Sequence, residues 1–213
     1  MYILSSTKEL KDKVEQVKLE KGKVVVDIGC GNNPTNDADI LVDLYLGTDR
    51  PSGGGKKLEH RGRPVFNADI QDLSAFENKS IDFVYSKHIL EHVDFPDKAC
   101  VELVRISKAG YIECPHPWDE LTDILKGRSR TYHKWLVFVV GNTAKFYDKL
   151  NFSFNLDDPI HASCLYMLNH KIEQYGSFND WEKVAIYRYF QELGDGRHTQ
   201  LKWFDSFDYL VIK

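Results

Sequence analysis

Three acids stand at the ends of three apolar runs. Asp27 closes Val24-Val25-Val26, Asp43 closes Ile40-Leu41-Val42, and Asp69 follows Val65-Phe66. β-Branched and aromatic residues in short runs suit a buried, pleated strand. Open α/β sheets take their ligands just beyond the carboxyl ends of such strands. Carboxylates placed there can accept hydrogen bonds from ribose hydroxyls and from an adenine amine. Directly after Asp27 comes Ile28-Gly29-Cys30-Gly31. Glycine takes positive φ and leaves room for a ligand to approach the backbone. The set points to a site for a nucleoside-like cofactor.

The histidines are the second group with chemical potential. His88-Ile89-Leu90-Glu91-His92 matches the H-x-x-E-H pattern of a zinc protease family. Two histidines four apart on a helix face one side and can share a metal. The sequence offers no evident third ligand, so the expectation is that no metal is held. His88 is then expected to border the cofactor pocket, with Glu91 and His92 in local structural or substrate-facing roles. His116 lies between Pro115 and Pro117 after a strand-like run, where it opens onto a cleft or merely occupies a turn. The basic and aromatic segment Arg128–Trp135, which includes His133, reads either as a clamp over the cleft or as a solvated loop.

The elements that position these residues follow from periodicity. Residues 6–20 read as a helix capped by Ser6 or Thr7, with Leu10, Val14 and Val17 on one face and Gly22 ending it. Strands are expected at 23–28, 39–44, 65–70, 81–85 and 110–114. Residues 89–107 read as helical with a break at Pro96, 118–126 as a short helix, and 135–140 as a strand. Two longer strands, 181–190 and 203–212, flank Gly194-Asp195-Gly196. The expected fold class is α/β: a Rossmann-like, doubly wound, mostly parallel sheet that ends in a C-terminal antiparallel strand pair. The 213 residues form one domain, with insertions over the cleft at 47–64 and 117–180. The first of these contains Gly53-Gly54-Gly55 and five basic residues between Arg50 and Arg63.

The totals exclude several classes. A formal charge of −4 gives no reason to expect nucleic acid or an anionic membrane as partner. Four widely spaced cysteines with no C-x-x-C pair argue against a zinc knuckle or a disulfide framework. No apolar run approaches the ~20 residues that span a bilayer, and no signal peptide opens the chain, so a soluble cytoplasmic protein is expected. A dinucleotide-binding dehydrogenase needs G-x-G-x-x-G running into a helix, and here Pro34 occupies the sixth position.

The chain resembles the class I S-adenosylmethionine-dependent methyltransferases, in particular the broad small-molecule group called type 11. The resemblance rests on Val-Val-Val-Asp-Ile-Gly-Cys-Gly (24–31), Asn-Ala-Asp-Ile (67–70), Ile-Asp-Phe-Val-Tyr-Ser-Lys-His-Ile-Leu-Glu-His-Val (81–93) and Glu-Leu-Val-Arg-Ile-Ser-Lys-Ala-Gly-Tyr-Ile-Glu-Cys-Pro (102–115), in order. It implies S-adenosyl-L-methionine as cofactor. Asp27, Gly29 and Gly31 would cradle its methionine part and ribose, and Asp43 would bind the ribose hydroxyls. Asp69 and Ile70 would hold the adenine, and Ser86, Lys87 and His88 would line the pocket beneath the methionine. It further implies methyl transfer to a small-molecule acceptor, with oxygen expected. A hydroxyl acceptor needs a base, for which His116, His133 and His88 are the candidates. Two departures stand out: Asn33 replaces a common third glycine, and only eleven residues separate Gly31 from Asp43, where a full helix normally sits. A catalytically silent scaffold and an RNA methyltransferase are the alternative readings, the latter resting on the basic residues of 50–63 and 128–134.

Overall fold

The computed structural model describes residues 2–47, 56–117, 120, 132–152, 157 and 198–213. The four-residue strands β2 (Val25–Ile28) and β3 (Ile40–Asp43) are buried at every position, which is why they read as continuous apolar runs. They lie at the centre of a seven-stranded sheet ordered β1-β4-β3-β2-β5-β6-β9. Its other members are β1 (Tyr2–Leu4), β4 (Pro64–Asn67), β5 (Phe83–Lys87), β6 (Ala109–Pro115) and β9 (His198–Phe204). All neighbours pair in parallel except β6 with β9.

In-register neighbours share a face. Val26, Ile28, Val42, Val84 and Ile112 bury one face together with Leu10 and Val17 of α1 (Thr7–Lys21) and Ala99, Leu103 and Ile106 of α2 (Pro96–Ile106). Helix α1 starts where Ser6 Oγ accepts the Glu9 N–H at 3.2 Å and stops at Gly22, φ +72°, whose N–H reaches the Lys18 carbonyl. The opposite face carries Val25, Leu41 and Val65, covered by Cys30, Ala38 and Leu58. Asp27, with its register partners Leu41 and Tyr85, lies on this second face.

The mostly parallel α/β sheet agrees with the expectation, but helices are fewer. Beyond α1 and α2 the described residues are helical only at Pro117 and Glu120, and residues 88–95 form turns where a helix was expected. The link between β4 and β5 is also without a helix. Asp69 Oδ1 accepts the Gln71 N–H at 2.9 Å and Asp72 Oδ1 accepts the Ser74 N–H at 3.1 Å, local bonds that compete with a helical ladder. The third strand stops at Asn67, so Asp69 stands in the following turn rather than in the strand. The strand expected at 203–212 is divided by Asp205, φ +62°, and Ser206. Its first part belongs to β9. Its second is β10 (Asp208–Ile212), which pairs in parallel with β8 (Thr143–Asp148) in a three-stranded sheet completed by β7 (Trp135–Val140). The strand expected at 181–190, the turn at 194–196, most of the proposed helix at 118–126 and most of the 117–180 insertion lie outside the described residues, as do 48–55 of the 47–64 insertion.

The helix-free link is braced by one ion pair. Arg105 grips Glu102 with Nε and Nη2 at 2.7 and 2.8 Å and donates to the Leu73 and Phe76 carbonyls. The Leu73 N–H donates to Glu102 at 2.6 Å. The Arg105 bond leads in holding the Glu102 carboxyl below its usual value. A depressed carboxylate stabilises the fold above the unfolded value of 4.5, and that contribution is lost as pH falls through the lower folded one. Glu102→Gln is therefore expected to lower the thermal midpoint at pH 7 and to flatten its decline with acid. Thermal unfolding across the acid range checks it; an unchanged acid limb would contradict the bracing role.

Candidate active site

The β2 carboxyl end turns sharply because Gly29 and Gly31 both sit at positive φ, +73° and +59°. The turn lies against β3 through the Gly29 and Cys30 N–H groups, which reach the Val42 carbonyl at 2.7 and 3.3 Å. Asn33 closes it with its N–H to the Cys30 carbonyl at 3.3 Å and does so without a positive φ, so the left-handed tolerance of asparagine is not used. The space that a Cβ on Gly29 would occupy is taken by Ile89, whose Cδ1 and Cγ1 would lie 2.2 Å away. The glycine thus locks the segment after β5 against the β2 turn.

The three acids differ in what they do. Asp27 is 1% exposed and accepts the Thr35 N–H at 2.6 Å. Burial raises its pKa, opposed by the Thr35 bond and by the charges of Lys87 and Arg63. Asp43 is also buried and uses both oxygens on the backbone, Oδ2 on the Gly31 N–H and Oδ1 on the Tyr45 N–H, each at 2.9 Å. It holds the shape of the glycine turn, and this contact stands beside the ribose role the resemblance implies. Asp69 is half-buried and bonded to Gln71, whose Oε1 takes the Phe95 N–H at 2.8 Å. Adjacent Ile70 is buried. Ser86 is 1% exposed and its Oγ has no hydrogen bond. Two left-handed glycines, a buried acid and an unsatisfied buried hydroxyl at the strand ends form a donor and acceptor set that fits a nucleoside cofactor.

The nominated bases separate. His88, φ +56°, leaves the end of β5 in a conformation uncommon outside glycine, with its N–H on the Glu113 carbonyl at 2.7 Å. Its Nε2 lies 3.3 Å from Glu113 Oε1 and its Nδ1 3.7 Å from Glu91 Oε1. The contact with Glu113, then the ionic contact with Glu91, raises its pKa to about 9. The same His88 bond leads in holding Glu113 down at about 2. At neutral pH His88 already carries its proton and is unsuited to take another. His116 is half-buried beyond β6, and burial lowers its pKa to about 4, so it is neutral there. His133 is 6% exposed with Nδ1 2.6 Å from Glu120 Oε1. Burial would raise Glu120, but the His133 and Lys149 bonds outweigh it and hold the carboxyl low. Within the basic segment, residues 128–131 lie outside the described residues.

Three participants were not singled out from the sequence. Glu113 is the single half-buried position in an otherwise buried β6, and an acid within an apolar run is the signal that could have found it. His198 comes from β9 and stacks edge-on with His88 at 4.9 Å, a contact no local pattern reveals. Glu120 meets His133 across thirteen positions.

The methyltransferase domain family matches residues 26–112. An S-adenosylmethionine-dependent methyltransferase from Thermotoga maritima is 20% identical, covering 54% of this chain and 57% of its own, with a TM-score of 0.38. A proposed S-adenosylmethionine-dependent methyltransferase from Listeria monocytogenes is 20% identical over 49% of this chain and 56% of its own, TM-score 0.33. A Haloferax volcanii complex of the Trm112 methyltransferase activator with a proposed methyltransferase is 15% identical over 94% and 93%, TM-score 0.45. The chain thus spans little more than half the length of the first two. No curated protein matches it.

Proposed function

Because this chain carries a methyltransferase domain of the S-adenosylmethionine-dependent class, we propose that it methylates a small-molecule acceptor at oxygen. The observation that supports the site is the pair of left-handed glycines beside buried Asp27 and the unsatisfied Ser86 hydroxyl. S-Adenosyl-L-methionine supplies an already activated methyl group on a sulfonium, so the protein's task is alignment. Asp27, Gly29 and Gly31 would hold the methionine and ribose parts, with Asp43 fixing the turn and reaching the ribose. Asp69 and Ile70 would hold the adenine, and Ser86, Lys87 and His88 would line the wall beneath the methionine. Protonated His88, paired with Glu113, orients this wall. His116, neutral at pH 7 though weakened as a base by burial, is the candidate to accept the acceptor's proton.

Calorimetry with S-adenosylmethionine and S-adenosylhomocysteine tests the cofactor half of the proposal. One-to-one binding of both is expected, and no binding at millimolar ligand would defeat it. A radiolabelled methyl screen over phenols, sugars and lipids tests the acceptor. Methylation of an amine or RNA in preference to any hydroxyl compound would overturn the oxygen assignment.

A further inference from the structure

We propose that Glu91, His92 and His133 form a binding site for a divalent transition metal, zinc in the first instance. The proposal is independent of the methyl-transfer reading, whose chemistry requires no metal. It starts from the backbone. The start of β7 is stitched to the turn after β5, since the Lys134 and Trp135 N–H groups both reach the Glu91 carbonyl, at 2.7 and 3.2 Å. Trp135 Nε1 donates to the Val93 carbonyl at 2.8 Å, and Lys134 pairs with Asp94. This docking brings His133 beside a segment forty residues earlier and supplies the third ligand that H-x-x-E-H lacks. It also changes the pairing, because His88 turns away towards Glu113 and His198.

The two imidazoles are set for ligation through one nitrogen each. His92 Nδ1 lies 3.0 Å from the Tyr132 carbonyl, and His133 Nδ1 lies 2.6 Å from the buried Glu120 carboxylate. A carbonyl and a carboxylate on the outer nitrogen fix the proton there and leave Nε2 as the free lone pair, the arrangement that orients metal-bound histidines. The ring centroids are 4.6 Å apart.

The second, independent observation is Glu91. It is 1% exposed and neither carboxylate oxygen has a hydrogen bond. Its Oε1 lies 3.7 Å from His92 Nε2 and 3.7 Å from His88 Nδ1. A buried carboxylate without hydrogen bonds is costly unless a cation meets it, and protonated His88 meets it only beyond hydrogen-bond distance, at 3.7 Å. One ligand atom from each of Glu91, His92 and His133 lies within 4.8 Å of the other two. Ligand atoms around a metal at about 2.0–2.2 Å are spaced by up to about 4 Å, so side-chain rotation closes the set. Two imidazoles and one carboxylate suit zinc, and three protein ligands leave a coordination position open. The neighbouring group His88, Glu113 and His198 is also compact, but Glu113 already accepts from Tyr111 and Gln200 and offers no unsatisfied carboxylate.

The experiment uses the full chain, stripped with chelator and titrated with cobalt(II) in visible spectroscopy and with zinc(II) in calorimetry. One-to-one binding is expected, with the intense ligand-field bands of low-coordinate cobalt that zinc abolishes. Glu91→Gln and His133→Gln should each weaken binding about tenfold or more, and Glu120→Gln by about 10–100-fold, while His198→Gln should leave it unchanged. Weak octahedral bands in the wild-type chain, or no stoichiometric uptake, would overturn the assignment without reference to any variant. So would loss of binding in His198→Gln with retention in His133→Gln.

Discussion

Gly29→Ala is expected to lower affinity for S-adenosylmethionine on the order of a hundredfold or more, a loss of about 3 kcal/mol. Two penalties coincide at this residue. An L-residue at φ +73° is strained by about 1–2 kcal/mol, and its Cβ would lie 2.2 Å from two Ile89 carbons. Ile89 must move, and with it the turn that carries His88 and its wall of the pocket. Gly22→Ala is the internal control. Its φ is +72°, but nothing lies within 4 Å of the added carbon, so it reports the backbone penalty alone. Calorimetry on both variants, with thermal unfolding alongside, separates the two effects. Equal cofactor affinity in wild type and Gly29→Ala would show that the turn does not shape the site. Asp27→Ala should weaken binding as well, and it leaves the Thr35 N–H without its acceptor.

The second large effect is structural. Trp203→Ala is expected to cost about 3–5 kcal/mol, because a fully buried indole leaves a cavity that the sheet cannot collapse to fill. For a chain of this size that is a fall in thermal midpoint on the order of 10 °C. The indole packs on Gly110 of β6, where a Cβ would come within 2.3 Å of its Cζ2 and Cη2 and 2.8 Å of Val84 Cγ1. Gly110→Ala alone is therefore overpacked, by about 1–3 kcal/mol. In the double variant the alanine methyl enters space the indole has vacated, so the two costs should fail to add by about 1 kcal/mol or more. Thermal unfolding of the three variants checks this, and simple additivity would contradict the interlock.

The central strands were legible because burial on both faces leaves a chemical signature: Val24-Val25-Val26 and Ile40-Leu41-Val42 can do little else. The helix α1 was legible from its cap, its stripe and its glycine. Residues 88–95 misled because Ile89, Leu90 and Val93 mimic a helical stripe, while their order comes from long-range contacts with Gly29 and Trp135. Tertiary contacts overrode local periodicity there. The same distance in sequence hid the partners of the histidines: His198 and Glu120 meet His88 and His133 through strand pairing and docking, which no short motif encodes. The strand at 203–212 misled for a simpler reason, since an alternating pattern does not reveal a single left-handed residue such as Asp205. Asp43 was placed correctly at a strand end, yet its bond to the Gly31 N–H could be seen only once the turn had a shape.

The pairing of β9 with β6 also sets an order of events during synthesis. Residues 109–115 emerge long before residues 198–204, and in the seven-stranded sheet β6 has no other neighbour on that side. A nascent chain that has made the parallel strands therefore carries an open, apolar strand edge until residues 198–204 leave the ribosome. Unpaired edges of this kind recruit other chains. Closing so long a loop also raises contact order and slows folding. Expression of the protein should consequently respond to chaperone supply and temperature more sharply than its final stability alone would suggest.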